Sequence, residues 1–247
     1  MMENVQMFAG DVALISGANK GIGFETARGL ATRKITVLIG ARDQWRGQTA
    51  VEKLQAEGAD ARFVKLDVTD GATIARAAEW IGQEFGRLDI LINNAGIGEW
   101  NAKPSTVDLA KVREVYETNF FGPVALIQAM LPWLRKSRHG RIVNVTSTLG
   151  SLAIASDPNS GLGDFLALGY CTSKSALNSM TIQFAKELRD TPIKVNAICP
   201  GYCATDLNNH SGPRTAAQGA VAPIQYATLG EDGPSGGFFN ENGSIPW

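Results

Sequence analysis

The sequence has few of the features that mark secreted, membrane-spanning or nucleic-acid-binding proteins. Its 247 residues include three cysteines and two histidines, and 23 basic residues nearly balance 24 acidic ones. A small, odd number of cysteines favours reduced thiols in a cytosolic protein over a disulfide framework. The net charge of −1, with no block of lysine and arginine, argues against nucleic acid or an anionic membrane surface as the main partner.

Long apolar runs are also missing. No stretch approaches the roughly 18 apolar residues of a membrane-spanning helix, and the first ten residues lack the basic and apolar regions of a signal peptide. We therefore predict a cytoplasmic protein without a membrane segment. Cys199, Cys203 and His210 are close in sequence but form no CxxC pair, so we interpret the thiols as structural and predict no metal site.

What the sequence has instead is a regular alternation of short β-branched apolar runs with helix-length segments. Most runs are continuous, which is typical of strands buried on both faces of a sheet. The alternation predicts one doubly wound α/β domain, residues 1–247, with a parallel sheet. Residues 151–169 are rich in Gly, Ser and Asp and predict a loop. The predicted strands are 12–17, 35–40, 61–68, 88–94, 141–147, 193–199 and 236–240; the predicted helices are 22–32, 47–57, 73–85, 120–134, 170–188 and 215–229.

The first apolar run leads into a glycine-rich turn, SGANKGIG at 16–23, and then into a helix-length segment. Glycine adopts backbone angles closed to other residues and lets a ligand approach the main chain. The start of the following helix offers unpaired N–H groups and a partial positive charge that suit a pyrophosphate. Strand, turn and helix together predict a dinucleotide site. Its candidate residues are Gly17, Asn19, Lys20, Gly21, Ile22 and Gly23.

The second apolar run ends in GARD, residues 40–43. NAD-binding sites tend to place an acidic residue here for the ribose hydroxyl, but this chain has Ala41 followed by Arg42. A guanidinium group binds the doubly charged 2′-phosphate of NADP(H) with two hydrogen bonds, and Lys20 adds a second positive charge. We therefore favour NADP(H). Asp43 as the ribose-binding acid, or Arg42 as a surface ion-pairing residue, remain alternatives.

Tyr170 and Lys174 are four residues apart in a predicted helix. This spacing places them on one face, with about 5–6 Å between their Cβ atoms. A nearby ammonium group can lower the pKa of a phenol from its ordinary value near 10. The spacing therefore predicts that a phenol and an ammonium group meet in one site. For the motif taken alone, a half-buried aromatic beside a solvated lysine is the alternative.

Several motifs stand in the order found in the short-chain dehydrogenase/reductase family, which the chain resembles over nearly its whole length. They are SGANKGIG at 16–23, LDV at 66–68, NNAG at 93–96, Asn119 within TNFFG, Ser147 after the fifth run, YCTSK at 170–174 and PGYCAT at 200–205. Within the family, ANKGIG, GARD and the final SIPW most resemble the NADPH-dependent carbonyl reductases.

The resemblance implies a Rossmann-type fold with a seven-stranded parallel sheet and a role for each matching residue. Tyr170 is expected to be the general acid and Lys174 its helper. Ser147 is expected to orient the carbonyl, and Asn119 to anchor a proton-relaying water. Cofactor contacts are expected from Tyr170 and Lys174 and from Asp67, Val68, Asn94, Ala95, Gly96, Pro200, Gly201 and Thr205.

These features predict an NADPH-dependent oxidoreductase that reduces the carbonyl of a small aldehyde, ketone or quinone. The nearest alternative is an alcohol dehydrogenase working in the oxidative direction, followed by a non-catalytic NADP(H)-sensing protein on the same fold. The family resemblance also implies a homo-oligomer, which the 151–169 loop would hinder. Five apolar residues favour a lipophilic or aromatic substrate, with loop packing as the alternative: Leu152, Ile154, Phe165, Leu166 and Trp247.

Overall fold

An eight-stranded sheet forms the centre of the computed structural model, which describes residues 8–100, 103–162 and 165–247. The sheet order is β3-β2-β1-β4-β5-β6-β7-β8, and neighbouring strands are parallel except β7 and β8. The strand order reverses between β1 and β4, so the carboxyl ends of these strands flank a crevice. The strands are β1 Val12–Ser16, β2 Thr36–Ala41, β3 Ala61–Lys65, β4 Ile90–Asn93, β5 Arg141–Val145, β6 Lys194–Ile198, β7 Phe238–Asn240 and β8 Gly243–Ser244.

Apolar packing covers both faces of this sheet. All five residues of β1 and all five of β5 are buried, as continuous apolar strands between two helix layers should be. The core on one face includes Leu126 and Leu177, and the core on the other face includes Leu30 and Leu54.

Helices flank the sheet, and most begin where a short polar side chain caps the first turn. The N-cap residues Asp43, Asp70, Asp108 and Thr215 each accept a backbone N–H of the helix that follows. None of the described helices is long and apolar enough to cross a membrane. The helices are α1 Gly21–Ala31, α2 Gln44–Ala56, α3 Gly71–Phe85, α4 Leu109–Tyr116, α5 Gly122–Leu134, α6 Leu152–Ser156, α7 Leu168–Glu187 and α8 Ala216–Ala227.

The doubly wound α/β prediction is confirmed, with differences in detail. The sheet has eight strands instead of seven, because the two-residue strand β8 turns back antiparallel on β7. The helix predicted from residue 120 is preceded by α4 and by a π-helical turn, Glu117–Phe121. The predicted loop at 151–169 contains α6. Its residues 163–164 lie outside the described residues, as do residues 1–7 of the segment considered for a signal peptide.

Candidate active site

A cavity of about 670 Å³ lies at the carboxyl ends of the central strands, where the strand order reverses. Fifteen of the residues proposed from the sequence line it: Gly17, Asn19, Lys20, Gly21, Ile22, Arg42, Asp67, Val68, Asn94, Ala95, Gly96, Tyr170, Lys174, Pro200 and Thr205. Gly23, Asn119, Ser147 and Gly201 are not among the lining residues. The sequence patterns missed several lining residues, including Thr69, Ile97, Thr118, Thr146, Asp206, Leu207 and His210.

The glycine turn packs so closely that side chains would not fit at two of its positions. Gly17 has φ +65°, and a Cβ there would lie 3.0 Å from the Cα of Ala95. A Cβ on Gly23 would lie 2.4 Å from Nδ2 of Asn94 and 2.8 Å from the Gly17 carbonyl oxygen. Asn94 in turn donates from Nδ2 to the carbonyl of Ser16 at 2.9 Å. Gly23 therefore supports the turn from behind, although it does not face the cavity.

The start of α1 fits an anionic group of a dinucleotide. The N-cap residue Lys20 has an extended backbone, and its side chain makes no hydrogen bond to the first turn. The first-turn N–H groups of such a helix carry a partial positive charge and need an acceptor. Because Gly21 and Ile22 line the cavity, a pyrophosphate there would meet these groups.

Arg42 also lines the cavity, near Asp67. Burial alone would raise the pKa of Asp67, but hydrogen bonds from Thr69 and the charges of Arg42 and Lys65 hold it below its ordinary value. The carboxylate of Asp43 accepts from the N–H of Arg46 at 2.8 Å and so caps α2. Because Asp43 is engaged there and does not line the cavity, the structure offers no support for Asp43 as the ribose-binding acid.

Lys20 lines the cavity and is paired there with an acidic side chain. Its ammonium group forms an ion pair with Asp206, which lies on the short 3₁₀ turn Asp206–Asn208 across the cavity mouth. Both side chains are about half exposed, at 54% and 53%. The second positive charge predicted for the 2′-phosphate is therefore paired with a carboxylate, whereas Arg42 forms no ion pair among the described residues.

Tyr170 sits in the first turn of α7 and is only 7% exposed. Burial raises the pKa of its phenol well above the ordinary value, and a hydrogen bond with Ser147 acts in the opposite direction. Ser147 follows β5 and also caps the short turn Thr148–Gly150 by accepting from the N–H of Leu149 at 3.2 Å. The structure therefore brings together the tyrosine and the serine proposed from the sequence.

Lys174 lies one helical turn below the tyrosine, as its spacing predicts. Its ammonium nitrogen is 5.6 Å from the centre of the Tyr170 ring and donates to the Val145 carbonyl at 2.9 Å. Burial lowers the pKa of Lys174 to about 8. The pKa of Tyr170 is raised, opposite to the lowering predicted from this lysine, because burial is the largest influence on the phenol.

Asn119 lies in the π-helical turn between α4 and α5 and is fully buried. Its side chain accepts from the N–H of Ile97 at 2.9 Å and donates to the Ile97 carbonyl at 2.8 Å and to Ser173 at 3.1 Å. The break in helix regularity that the sequence suggested is present. The side chain holds the segment after β4 against α7, and the water-anchoring role remains a prediction.

Glu99 and Trp100, on the segment after β4, contact α7 and were not singled out in the sequence. The Glu99 carboxylate accepts the backbone N–H groups of Gly169 and Tyr170 at 2.9 and 2.8 Å. The Trp100 ring lies 4.8 Å from the Tyr170 ring, and its indole N–H donates to the Leu207 carbonyl at 3.1 Å. A glutamate before a tryptophan has no local signature that would have revealed these contacts.

None of the five apolar residues predicted for the substrate pocket is among the residues that line the cavity. Phe165 packs against Trp100 with 6.1 Å between the ring centres, and Trp100 is not a lining residue either. Leu152 and Ile154 are on α6, where the Ala153 N–H donates to the Trp247 carbonyl at 2.8 Å. A lipophilic or aromatic substrate remains a prediction, without support from the residues that line the cavity.

A cluster of possible metal ligands lies apart from the cavity, at the amino ends of β1, β4 and β5. Ligand atoms of Asp11, Asp89 and His139 lie within 4.8 Å of one another. These side chains already have partners in the protein: His139 bonds to Asp11 at 2.7 Å, and Asp89 accepts from Ser137 at 2.7 Å and from the Val12 N–H at 2.9 Å. We therefore interpret the cluster as a buried hydrogen-bond network.

Comparison with known proteins agrees with this geometry. A family model for short chain dehydrogenase matches residues 11–216. The chain is 35% identical to (+)-neomenthol dehydrogenase of Arabidopsis thaliana, covering 92% of this chain and 95% of the relative. It is 32% identical to carbonyl reductase (NADPH) 1 of Mus musculus, covering 96% and 98%. The crystal structure of NADPH-bound carbonyl reductase from chicken fatty liver is 30% identical with a TM-score of 0.83, covering 97% of this chain and 100% of that one.

Proposed function

The chain belongs to the short-chain dehydrogenase family, and from this we propose that it is an NADP(H)-dependent oxidoreductase that reduces aldehyde, ketone or quinone carbonyls to alcohols. The observation that carries the proposal is that Tyr170 and Lys174, with Ser147 beside the tyrosine, share one cavity with the glycine turn and Arg42.

The preference for NADP(H) rests on the charges at the adenosine end of the cavity. Arg42 is a lining residue, whereas the neighbouring acid Asp43 is engaged in capping α2. A guanidinium group suits a 2′-phosphate, and a free acid at this position would suit a ribose hydroxyl instead. Relatives whose names include NADPH support the same choice.

The proposed reaction divides the work between cofactor and protein. Bound NADPH would supply the hydride that adds to the carbonyl carbon. As negative charge develops on the carbonyl oxygen, the Ser147 hydroxyl donates a hydrogen bond to it and the Tyr170 phenol transfers its proton. The alcohol then carries one hydride and one proton, and Tyr170 is left as a phenolate that regains a proton before the next turnover.

Burial and charge suit Tyr170 to this direction of reaction. Because burial raises the pKa of the phenol, it holds its proton at neutral pH, which is the form that reduction needs. Lys174, with a pKa of about 8, is mostly an ammonium ion at pH 7. Two opposite unit charges about 6 Å apart attract by about 3 kcal/mol at an effective dielectric of 20, so this ammonium stabilises the phenolate that proton transfer leaves.

The first test is an absorbance assay of NADPH and NADH oxidation against aromatic aldehydes, ketones and quinones, with Tyr170→Phe as the variant. We expect turnover with NADPH, weaker turnover with NADH, and at least a 1,000-fold lower kcat for Tyr170→Phe, because proton transfer is lost and the oxyanion loses a donor. The Kd for NADPH should change less than threefold.

Tyr226→Phe is the matched control, since Tyr226 is also buried but stacks on Phe239 on the other face of the sheet. It should keep wild-type kcat. Full activity in Tyr170→Phe would refute the proposed acid, and oxidation of alcohols without reduction of carbonyls would favour the dehydrogenase alternative. Tight NADPH binding with no turnover in either direction would favour a cofactor-sensing protein.

A further inference from the structure

The helix that carries Tyr170 begins without a cap of its own. Its N-cap residue is Ala167, which has no side-chain group to accept the first-turn N–H groups. Leu168, Gly169 and Tyr170 are the first three residues of α7, so their N–H groups have no partner within the helix. An uncapped start frays, and a fraying start at this position would move the phenol itself.

Glu99 supplies the missing cap from 70 residues away in sequence. Each of its two carboxylate oxygens accepts one first-turn N–H, that of Gly169 at 2.9 Å and that of Tyr170 at 2.8 Å. Gly169 leaves room for this contact, because a Cβ there would lie 2.9 Å from Oε2 of Glu99. Hydrogen bonds to an ionised acceptor are stronger than neutral ones, so both amides are firmly held.

The same carboxylate places a negative charge at the start of the helix that carries the phenol. A helix start carries about half a positive charge, which favours a nearby anion such as a phenolate. A carboxylate on that helix start offsets the charge and favours the protonated phenol. The charge of Glu99 acts within this turn, since after burial it is the next cause of the raised pKa of the Cys171 thiol. The titratable groups that act on the phenol itself are Cys199 and Cys171, which add to the effect of burial in raising its pKa.

We propose that Glu99 is a positioning residue for Tyr170, which fixes the first turn of α7 and keeps the phenol in its protonated form. The inference rests on the proposed role of Tyr170 as proton donor. Trp100 extends the same contact, because its ring covers the Tyr170 ring and its indole N–H reaches the Leu207 carbonyl beside the cavity mouth.

Two substitutions separate the geometric and the electrostatic parts of this role. Glu99→Ala removes both acceptors and the charge, whereas Glu99→Gln removes the charge and one acceptor but keeps an amide oxygen that can hold one of the two N–H groups. Glu114→Gln is the matched control, because Glu114 is an exposed glutamate on the neighbouring helix α4, paired with Lys111. The measurements are kcat and KM across pH, the Kd for NADPH, and hydrogen exchange at the Gly169 and Tyr170 amides.

For Glu99→Ala we expect kcat to fall at least tenfold, exchange at the two amides to become at least tenfold faster, and the Kd for NADPH to stay within twofold. For Glu99→Gln we expect a smaller loss of kcat. In the plot of reduction rate against pH, the midpoint of the fall at high pH should move about 0.5 pH unit lower, because loss of a negative charge favours the phenolate. If Glu99 had only a structural role, the pH at which the rate falls would be the same in Glu99→Gln and the wild type.

Wild-type kcat and an unshifted midpoint in both Glu99 variants would overturn the proposal, as would unchanged amide exchange in Glu99→Ala. If Glu99→Ala does not fold, the midpoint for Glu99→Gln decides the question. A wild-type protein that turns over no carbonyl would refute the proposed function, whereas the exchange rates would still support or overturn the capping contact.

Discussion

Among the described helices, α1 and α7 share a first turn that no N-cap side chain caps, but different groups meet their N–H groups. The N-cap residues Lys20 and Ala167 make no side-chain hydrogen bond to the helices that follow. In contrast, α2, α3, α4, α6 and α8 begin at capping Asp, Ser or Thr residues, and α5 continues from a π-helical turn.

The difference between the two uncapped starts lies in what meets their N–H groups. The first turn of α1 faces the cavity, where the phosphates of a dinucleotide would be the acceptors. The first turn of α7 is held by the Glu99 carboxylate. Under the proposed function, one start would receive an anion from solution, whereas the other is satisfied by an anion from within the chain. Ligand binding and the positioning of the proposed acid would then use the same property of a helix end.

Of the substitutions that should affect the start of α1 but not that of α7, we expect Gly23→Ala to have the largest effect on NADPH binding. The new Cβ would lie 2.4 Å from Nδ2 of Asn94 and 2.8 Å from the Gly17 carbonyl, so the glycine turn must shift away from the phosphate position. We expect the Kd for NADPH to rise about 100-fold, or about 2.7 kcal/mol. Amide exchange at the start of α7 should not change.

Titration of NADPH by fluorescence measures the first result. Gly71→Ala is the control, because a Cβ on Gly71 meets no atom within 4 Å, and it should bind NADPH with wild-type affinity. Unchanged binding in Gly23→Ala would mean that the phosphates do not sit at the start of α1.

A smaller effect is expected from Arg42→Ala, which acts on the other end of the same ligand. Hydrogen bonds to charged groups contribute about 1.5–3 kcal/mol, so the Kd for NADPH should rise about 10- to 100-fold. The Kd for NADH, which lacks the 2′-phosphate, should stay within twofold. Arg76→Ala, on the exposed side of α3, is the charge-matched control. Equal losses for NADPH and NADH would refute a 2′-phosphate contact.

The smallest effect concerns Lys20 and its partner. Asp206→Asn would release the Lys20 ammonium toward the bound phosphates, and exposed ion pairs contribute only about 0–1 kcal/mol. We expect NADPH to bind about two- to fivefold more tightly at low salt, with a smaller gain at high salt. Asp190→Asn breaks another exposed ion pair, with Arg189, and should leave the affinity unchanged.

The ionisation of Asp206 should not change between about pH 6 and 8. The hydrogen bond and charge of Lys20, with a contribution from His210, hold the pKa of Asp206 below its ordinary value near 4. The carboxylate stays ionised until the pH falls through that lowered pKa, so the ion pair of the wild type is complete at neutral pH. Weaker NADPH binding in Asp206→Asn would contradict the competition between Asp206 and the cofactor.

The sequence predicted the strands and helices whose own residues carry a clear apolar pattern, and it missed those with a weak or very short pattern. The seven apolar runs predicted the parallel strands because burial on both faces leaves an unbroken apolar signal. The helix α4, LAKVREVY, gave a weak signal because Val115 is its only buried residue. The strand β8 has two residues, too few for any periodicity.

Within the site, the sequence determined the features that depend on residues close together in the chain: the glycine turn at 17–23, the arginine after β2, and the tyrosine and lysine one helical turn apart. Backbone geometry and helix periodicity act over a few residues, so spacing is sufficient to predict them. Only the tertiary structure placed Glu99 on the helix start at Gly169 and Asp206 on Lys20, which is 186 residues away. It also decided that burial raises the Tyr170 pKa despite the nearby lysine, because desolvation depends on everything that surrounds a side chain.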